Sequence, residues 1–253
     1  MARVPDAAPR PEAALDAPRH AALAVEPLSP PAAVLWDMDG TLIDTEPCWI
    51  AAEEQLVRSF GGTWSQEDAE RLIGVALLDA AVVFQEAGVD LEPLEIALRL
   101  TETVIGMLPT ATFQPGALEL LAELSAAGVP SALVTASYRP MVDAVVALTP
   151  PGSFAVVVTG DEVEVGKPDP LPYLRAAELL GVDPTHCVAI EDSPPGITAA
   201  LASGARTLGV PHQVPVPPRP GLSRAASLAD VTLADLTALR HGLTFDRLAD
   251  TDR

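Results

Sequence analysis

Ala32-Ala33-Val34-Leu35-Trp36-Asp37-Met38-Asp39-Gly40-Thr41 is an apolar run that stops abruptly at two carboxylates two positions apart. A run of this length has the pattern of a buried strand, and Pro30 and Pro31 immediately precede it. Similar runs recur at Val129–Val134, Phe154–Val158, Cys187–Ile190 and, more weakly, Ala205–Val210. Helical patterns lie between most of them: Ala117–Ala127 closed by Gly128, Met141–Leu148, Leu171–Leu180 closed by Gly181, and Gly196–Ser203. Strands alternating with helices predict an α/β fold, a parallel sheet with helices on both faces. In such a sheet, ligands bind at the carboxyl ends of the strands. The first strand ends in Asp37 and Asp39, the second in Thr135-Ala136-Ser137, and the fourth in Glu191-Asp192-Ser193. Lys167, followed by Pro168, comes between the third and fourth strands. Four segments thus bring carboxylates, hydroxyls and one ammonium to one edge.

The alternation fails in one place. No strand pattern is found between Asp44 and Phe113, only helical periodicity around Cys48–Phe60, Gln66–Ile73, Leu78–Ala87 and Pro93–Met107. Residues 45–113 therefore read as an inserted helical cap, and residues 32–44 with 114–240 as the α/β core. Residues 1–31, rich in Ala and Pro, read as a disordered or loosely packed extension. Pro211–Pro220 carries five prolines and reads as a surface loop, Leu233–Arg240 as a last helix, and 241–253 as a tail.

Composition narrows the function. The formal charge of −20 disfavours nucleic acid or an anionic membrane as partner, because both would be repelled. It also means that an anionic substrate needs a positive spot inside a negative protein. Cys48 and Cys187 are the only cysteines, which fits a reducing cytoplasm and no disulfide framework. No run is long enough to span a membrane, and no signal-peptide pattern is expected at the N-terminus.

Each motif has a plainer explanation. An Asp-x-Asp pair in an acidic chain is commonly a solvated turn, Thr135 could cap the following helix, and Glu191-Asp192 could cap the next one. Lys167 resists that treatment. The chain has 15 basic residues, and Lys167 is the only lysine among them. A compact ammonium sits between oxygens where a planar guanidinium does not.

Taken in order, Asp37-Met38-Asp39-Gly40-Thr41-Leu42-Ile43-Asp44-Thr45-Glu46, Thr135, Lys167-Pro168 and Glu191-Asp192-Ser193-Pro194-Pro195-Gly196-Ile197 resemble the haloacid dehalogenase superfamily. The branch most similar has a helical cap after the first motif and contains β-phosphoglucomutases and sugar-phosphate phosphatases. The resemblance runs from about Ala32 to Val210 and implies a Rossmann-like core. It implies Asp37 as nucleophile, forming an aspartyl-phosphate, and Asp39 as the acid and base for leaving group and water. It implies Mg²⁺ held by Asp37, the backbone carbonyl of Asp39 and Asp192, with Glu191 acting through water. Thr135 and the Ala136 N–H would hold phosphoryl oxygens, and Lys167 would neutralise their charge.

A dehalogenase needs neither metal nor an acid two residues past the nucleophile, so Asp39 and Asp192 count against that reading. A phospho-accepting receiver domain is about half this length and has no helical insert. The expected activity is that of a phosphatase acting on a small phosphorylated metabolite, with a phosphomutase as the alternative. For substrate contacts, the candidates are Gly74 in the cap, Glu46, Ala136, Ser137 and Arg139. The protein is expected to be monomeric.

Overall fold

The computed structural model describes residues 28–72, 75 and 77–248. Of the expected extension, cap and tail, residues 1–27, Gly74 and residues 249–253 lie outside these.

β1 (Val34–Trp36) is the hub of the sheet. Its apolar side chains alternate between two layers: Val34 and Trp36 face one cluster, Leu35 the other. The remaining strands are β4 (Ser131–Val134), β5 (Val156–Val158), β6 (Val188–Glu191), β7 (Arg206–Gly209) and β8 (Leu222–Arg224), after a short pair β2 (Ile43–Asp44) and β3 (Thr112–Phe113). The main sheet has six strands in the order β5-β4-β1-β6-β7-β8, all parallel. Trp36 stands opposite Leu133 on one side and Ile190 on the other, so the carboxyl ends of β4, β1 and β6 are flush.

Helices α5 (Ala117–Ala126) and α9 (Leu233–Arg240) cover one face, and α7 (Leu171–Leu180) and α8 (Pro194–Ala202) the other. The predicted Rossmann-like architecture is what the chain forms. α8 begins two residues before the expected Gly196, because prolines at the first helical turn remove only amides that have no partner there anyway. α6 (Arg139–Val146) likewise begins at Arg139-Pro140 rather than at Met141.

Between β2 and β3 lie α1 (Glu46–Ser59), α2 (Gln66–Glu70), α3 (Leu77–Glu86) and α4 (Pro93–Met107). α1, α3 and α4 pack through Leu56, Phe84, Ile96 and Leu100, and Phe84 stacks on Trp64 with ring centroids 4.9 Å apart. α4 also packs on α6, so one apolar cluster runs from the helices into the sheet.

Two expectations need correction. A strand does occur before the core resumes: Ile43 and Asp44 pair antiparallel with Phe113 and Thr112, closing the helical segment at its base. β8 was also not foreseen. Both are too short to carry a hydrophobic period, and pairing partners distant in sequence create them. In the segment read as a tail, Arg247 N–H donates to Arg224 O at 2.9 Å and Arg224 pairs with Asp246. No helix among the described residues is long and apolar enough to cross a membrane.

Candidate active site

Asp37 is the first residue beyond β1, and its own N–H continues the ladder by donating to Ile190 O at 3.0 Å. Its carboxylate is 2.6 Å from Lys167 Nζ. The same ammonium donates to Glu191 Oε1 at 2.6 Å and to Val134 O at 2.9 Å. Three acceptors from three adjacent strand ends therefore saturate the three protons of one lysine. Lys167 comes from the loop between β5 and α7, on the far side of a cis peptide to Pro168.

Glu191 is fully buried, and both of its oxygens are occupied. Oε1 also accepts from Tyr173 Oη at 2.7 Å, and Oε2 accepts from Ser193 N–H at 3.2 Å and Ser193 Oγ at 3.0 Å. Ser193 Oγ in turn caps α8 by accepting from Gly196 N–H at 3.1 Å. A side chain at position 196 would collide with the Glu191 carboxylate, its Cβ falling 1.8 Å from Oε1. Glu191 is thus locked in place to orient Lys167.

Asp39 receives three hydroxyls. Thr45 Oγ1 donates to Oδ1 at 2.6 Å, while Ser137 Oγ at 2.7 Å and Thr135 Oγ1 at 3.3 Å donate to Oδ2. Thr135 also accepts from Ser137 N–H at 3.0 Å, so it shapes the turn after β4 and does not cap α6, whose N-cap is Tyr138. The turn from Asp39 to Ile43 needs Gly40, whose φ is +81° and whose missing Cβ leaves room for Asp192 Oδ2. Thr41 Oγ1 donates to Asp192 Oδ1 at 3.3 Å.

Carboxylate oxygens of Asp37, Glu191 and Asp192 lie within 4.8 Å of one another, and all three residues are buried. Burial, then Asp37 and Glu191, pushes Asp192 up to about 9. Burial and Glu191 push Asp37 up to about 7 against the pull of Lys167. Burial would draw Lys167 down, but Asp37 and Glu191 outweigh it and hold the ammonium above the ordinary lysine range. Three buried carboxylates facing one ammonium leave uncompensated negative charge, and an all-oxygen donor set suits a hard divalent cation. The residues present fit such an ion, with Asp37 and Asp192 as the carboxylates not saturated by protein donors.

Asp37, Asp39, Thr135, Ser137, Lys167, Glu191 and Asp192 come together at this one sheet edge. Arg139 is drawn elsewhere, to Glu162 at 2.6 Å and Asp143 at 3.5 Å. Glu46 opens α1 beside this group, and burial, then Asp39 and Asp44, pushes it up to about 7. Ala136 is exposed at the same turn. Sequence reasoning missed Thr41, Thr45, Tyr173 and Ser193 as supports. Thr41 and Thr45 lie inside the first motif, where their hydroxyls could have been noticed. Tyr173 sits on the buried face of α7 and carries no such signal.

A profile of the haloacid dehalogenase-like hydrolase family matches residues 31–204. The chain belongs to that family. Within it, this hydrolase is a phosphatase, the kind of enzyme its relatives are named for. Hexitol phosphatase A of Escherichia coli is 34% identical over 70% of this chain and 81% of its own length. The bifunctional riboflavin kinase/FMN phosphatase of Arabidopsis thaliana is 30% identical over 83% of this chain, which spans only 55% of that protein. CbbY from Rhodobacter sphaeroides, solved in complex with phosphate, superposes with a TM-score of 0.75 at 28% identity, covering 81% of this hydrolase and 99% of CbbY.

Proposed function

We propose that the protein is a Mg²⁺-dependent phosphatase that hydrolyses a small phosphomonoester, a sugar phosphate or similar metabolite, through an aspartyl-phosphate on Asp37. The observation that carries this reading is the Asp37 carboxylate, held at the sheet edge by Lys167 at 2.6 Å and flanked by an independently clamped Asp39. An Asp37 oxygen would form a bond to phosphorus as the bond to the leaving oxygen breaks, and Asp39 would protonate that oxygen. Asp39 would then take a proton from water, whose oxygen displaces Asp37 from phosphorus and releases phosphate. Thr135, the Ala136 N–H and Lys167 would hold the phosphoryl oxygens. Asp37, Asp192 and the Asp39 carbonyl would hold Mg²⁺, with Glu191 supporting from behind. The ion would supply charge neutralisation for an anionic nucleophile meeting an anionic phosphate. Residues 45–113 would act as a cap over this edge, with Gly74 and Glu46 near the substrate.

A phosphatase is favoured over a phosphomutase because a mutase must grip a second phosphate. Arg139 is paired with Glu162, and Leu77 stands where the β-phosphoglucomutase pattern places an arginine in the cap. The test is to supply β-glucose 1-phosphate with a trace of the 1,6-bisphosphate. Release of inorganic phosphate with little glucose 6-phosphate is expected, and efficient conversion to glucose 6-phosphate would refute the reading.

Asp39→Asn is expected to lower turnover of alkyl phosphates about 10²–10⁴-fold, and to hurt phosphorylation by an activated aryl phosphate less. Equal losses on both substrates would remove Asp39 from the acid role.

In chelator, folded Asp192 and Asp37 retain protons that the unfolded chain has already released. Stability should therefore fall as pH rises from the ordinary carboxylate range towards about 9. Added Mg²⁺ should restore stability on the alkaline side and be required for activity. Melting temperatures that are independent of pH and of Mg²⁺ would contradict the cation site. Two free, buried cysteines fit a reducing cytoplasm. A monomer acting without nucleic acid or membrane completes the proposal.

A further inference from the structure

The core layer beneath α7 and α8 is built mostly of alanine and valine, and Tyr173 is the one aromatic side chain in it among the described residues. Tyr173 lies in the first turn of α7, shortly after Lys167, and is fully buried. A phenylalanine would fill the same room without burying a hydroxyl, so packing alone does not account for the phenol. The hydroxyl donates to Glu191 Oε1 at 2.7 Å, the same oxygen that accepts from Lys167 Nζ at 2.6 Å. The ring face is also turned to Lys167, with Nζ 5.1 Å from the centroid.

Two carboxylates compete for this ammonium. The Asp37 and Glu191 oxygens are equally close to it, each at 2.6 Å, and Val134 O takes its third proton. Glu191 is the deeper of the two, and Ser193 already occupies its second oxygen. A second donor on Oε1 uses part of that oxygen's accepting capacity and weakens its hold on Lys167. The ring face attracts the ammonium without offering it another oxygen. Without the phenol, Lys167 becomes the one donor to Oε1, and the strengthened bond draws the ammonium off Asp37 towards Glu191.

Building on the phosphatase reading, we propose that Tyr173 is a positioning residue for phosphoryl transfer: by sharing Glu191 Oε1 with Lys167, its hydroxyl keeps the ammonium at Asp37. As an Asp37 oxygen bonds to phosphorus, the ammonium is then in place to turn to the phosphoryl oxygens, where negative charge develops. The effect falls on the transition state more than on bound substrate, which Thr135 and the Ala136 N–H also hold in that reading.

The experiment compares full-length Tyr173→Phe, which loses one oxygen and keeps the ring, with the unaltered protein in Mg²⁺. On p-nitrophenyl phosphate and a sugar phosphate, kcat should fall about 10-fold, with KM moving less than about two-fold and the thermal melt remaining cooperative. In a Glu191→Gln background, where a neutral amide no longer competes for the ammonium, the same substitution should cost less than about two-fold. Orthovanadate, which mimics a five-coordinate phosphoryl group, should bind Tyr173→Phe more weakly by about the factor lost from kcat, while inorganic phosphate binds as before. Vanadate affinity is read in every variant, so the comparison holds even where turnover is too slow to follow. Unchanged kcat and vanadate affinity in Tyr173→Phe, a loss carried by KM, an undiminished loss in the Glu191→Gln background, or loss of the cooperative melt would each overturn the proposal. No phosphate release by the unaltered protein would refute the phosphatase reading and the proposal with it, an outcome distinct from full turnover in Tyr173→Phe.

Discussion

Asp37→Asn should lower kcat by at least about four orders of magnitude while the protein stays folded. The carboxylate is the group aligned for attack at the end of β1, and an amide of nearly the same shape has no comparable nucleophilicity. Stability should hold because the amide removes a charge that burial and Glu191 already disfavour. Lys167 keeps its bonds to Glu191 and Val134 O, so its ammonium is not left bare. Phosphate release from p-nitrophenyl phosphate and from a sugar phosphate, with a thermal melt of the same sample, checks both halves. Turnover above trace levels in a folded variant would remove Asp37 from the nucleophile's role.

Lys167→Ala should do what Asp37→Asn does not: it should cost both activity and stability. Deleting the ammonium leaves Asp37 and Glu191 buried, close together and without their shared counter-charge. Breaking a buried pair in this way typically destabilises by about 3–5 kcal/mol, and turnover should fall by at least about 10³-fold. Mg²⁺ would recover part of the stability but not the rate. Lys167→Arg should fail to rescue, because the three acceptors surround a point and a planar fork cannot reach all of them from one centre. Melting temperature and kcat measured on both variants decide the matter. A Lys167→Arg enzyme with normal kcat would show that a positive charge alone suffices there.

These contrasting outcomes mirror how legible each part of the site was in the sequence. Asp37, Asp39, Thr135, Lys167 and Asp192 could be named because each lies within three residues of the end of a short apolar run or, for Lys167, stands out by composition. The helices were legible for a similar reason: α7 ends at Gly181, whose φ of +69° is the turn that a glycine permits. Arg139 shows the opposite case. It adjoins the motif and looked available to substrate, but Glu162, brought alongside by the turn after β5, captures its guanidinium.

The sequence by itself determined the order of the five longer apolar strand runs and of the helices between them, the residues at those strand ends, and the single lysine among them. Hydrophobic period, glycine and proline placement and residue chemistry are local properties, and they can be read along the chain. Only the tertiary structure decided that Thr45, Thr135 and Ser137 converge on Asp39, or that Tyr173 and Ser193 close both oxygens of Glu191. It alone paired Ile43–Asp44 with Thr112–Phe113. Such contacts join segments as much as 98 positions apart. Their existence depends on sheet register and helix packing, so no local pattern encodes them.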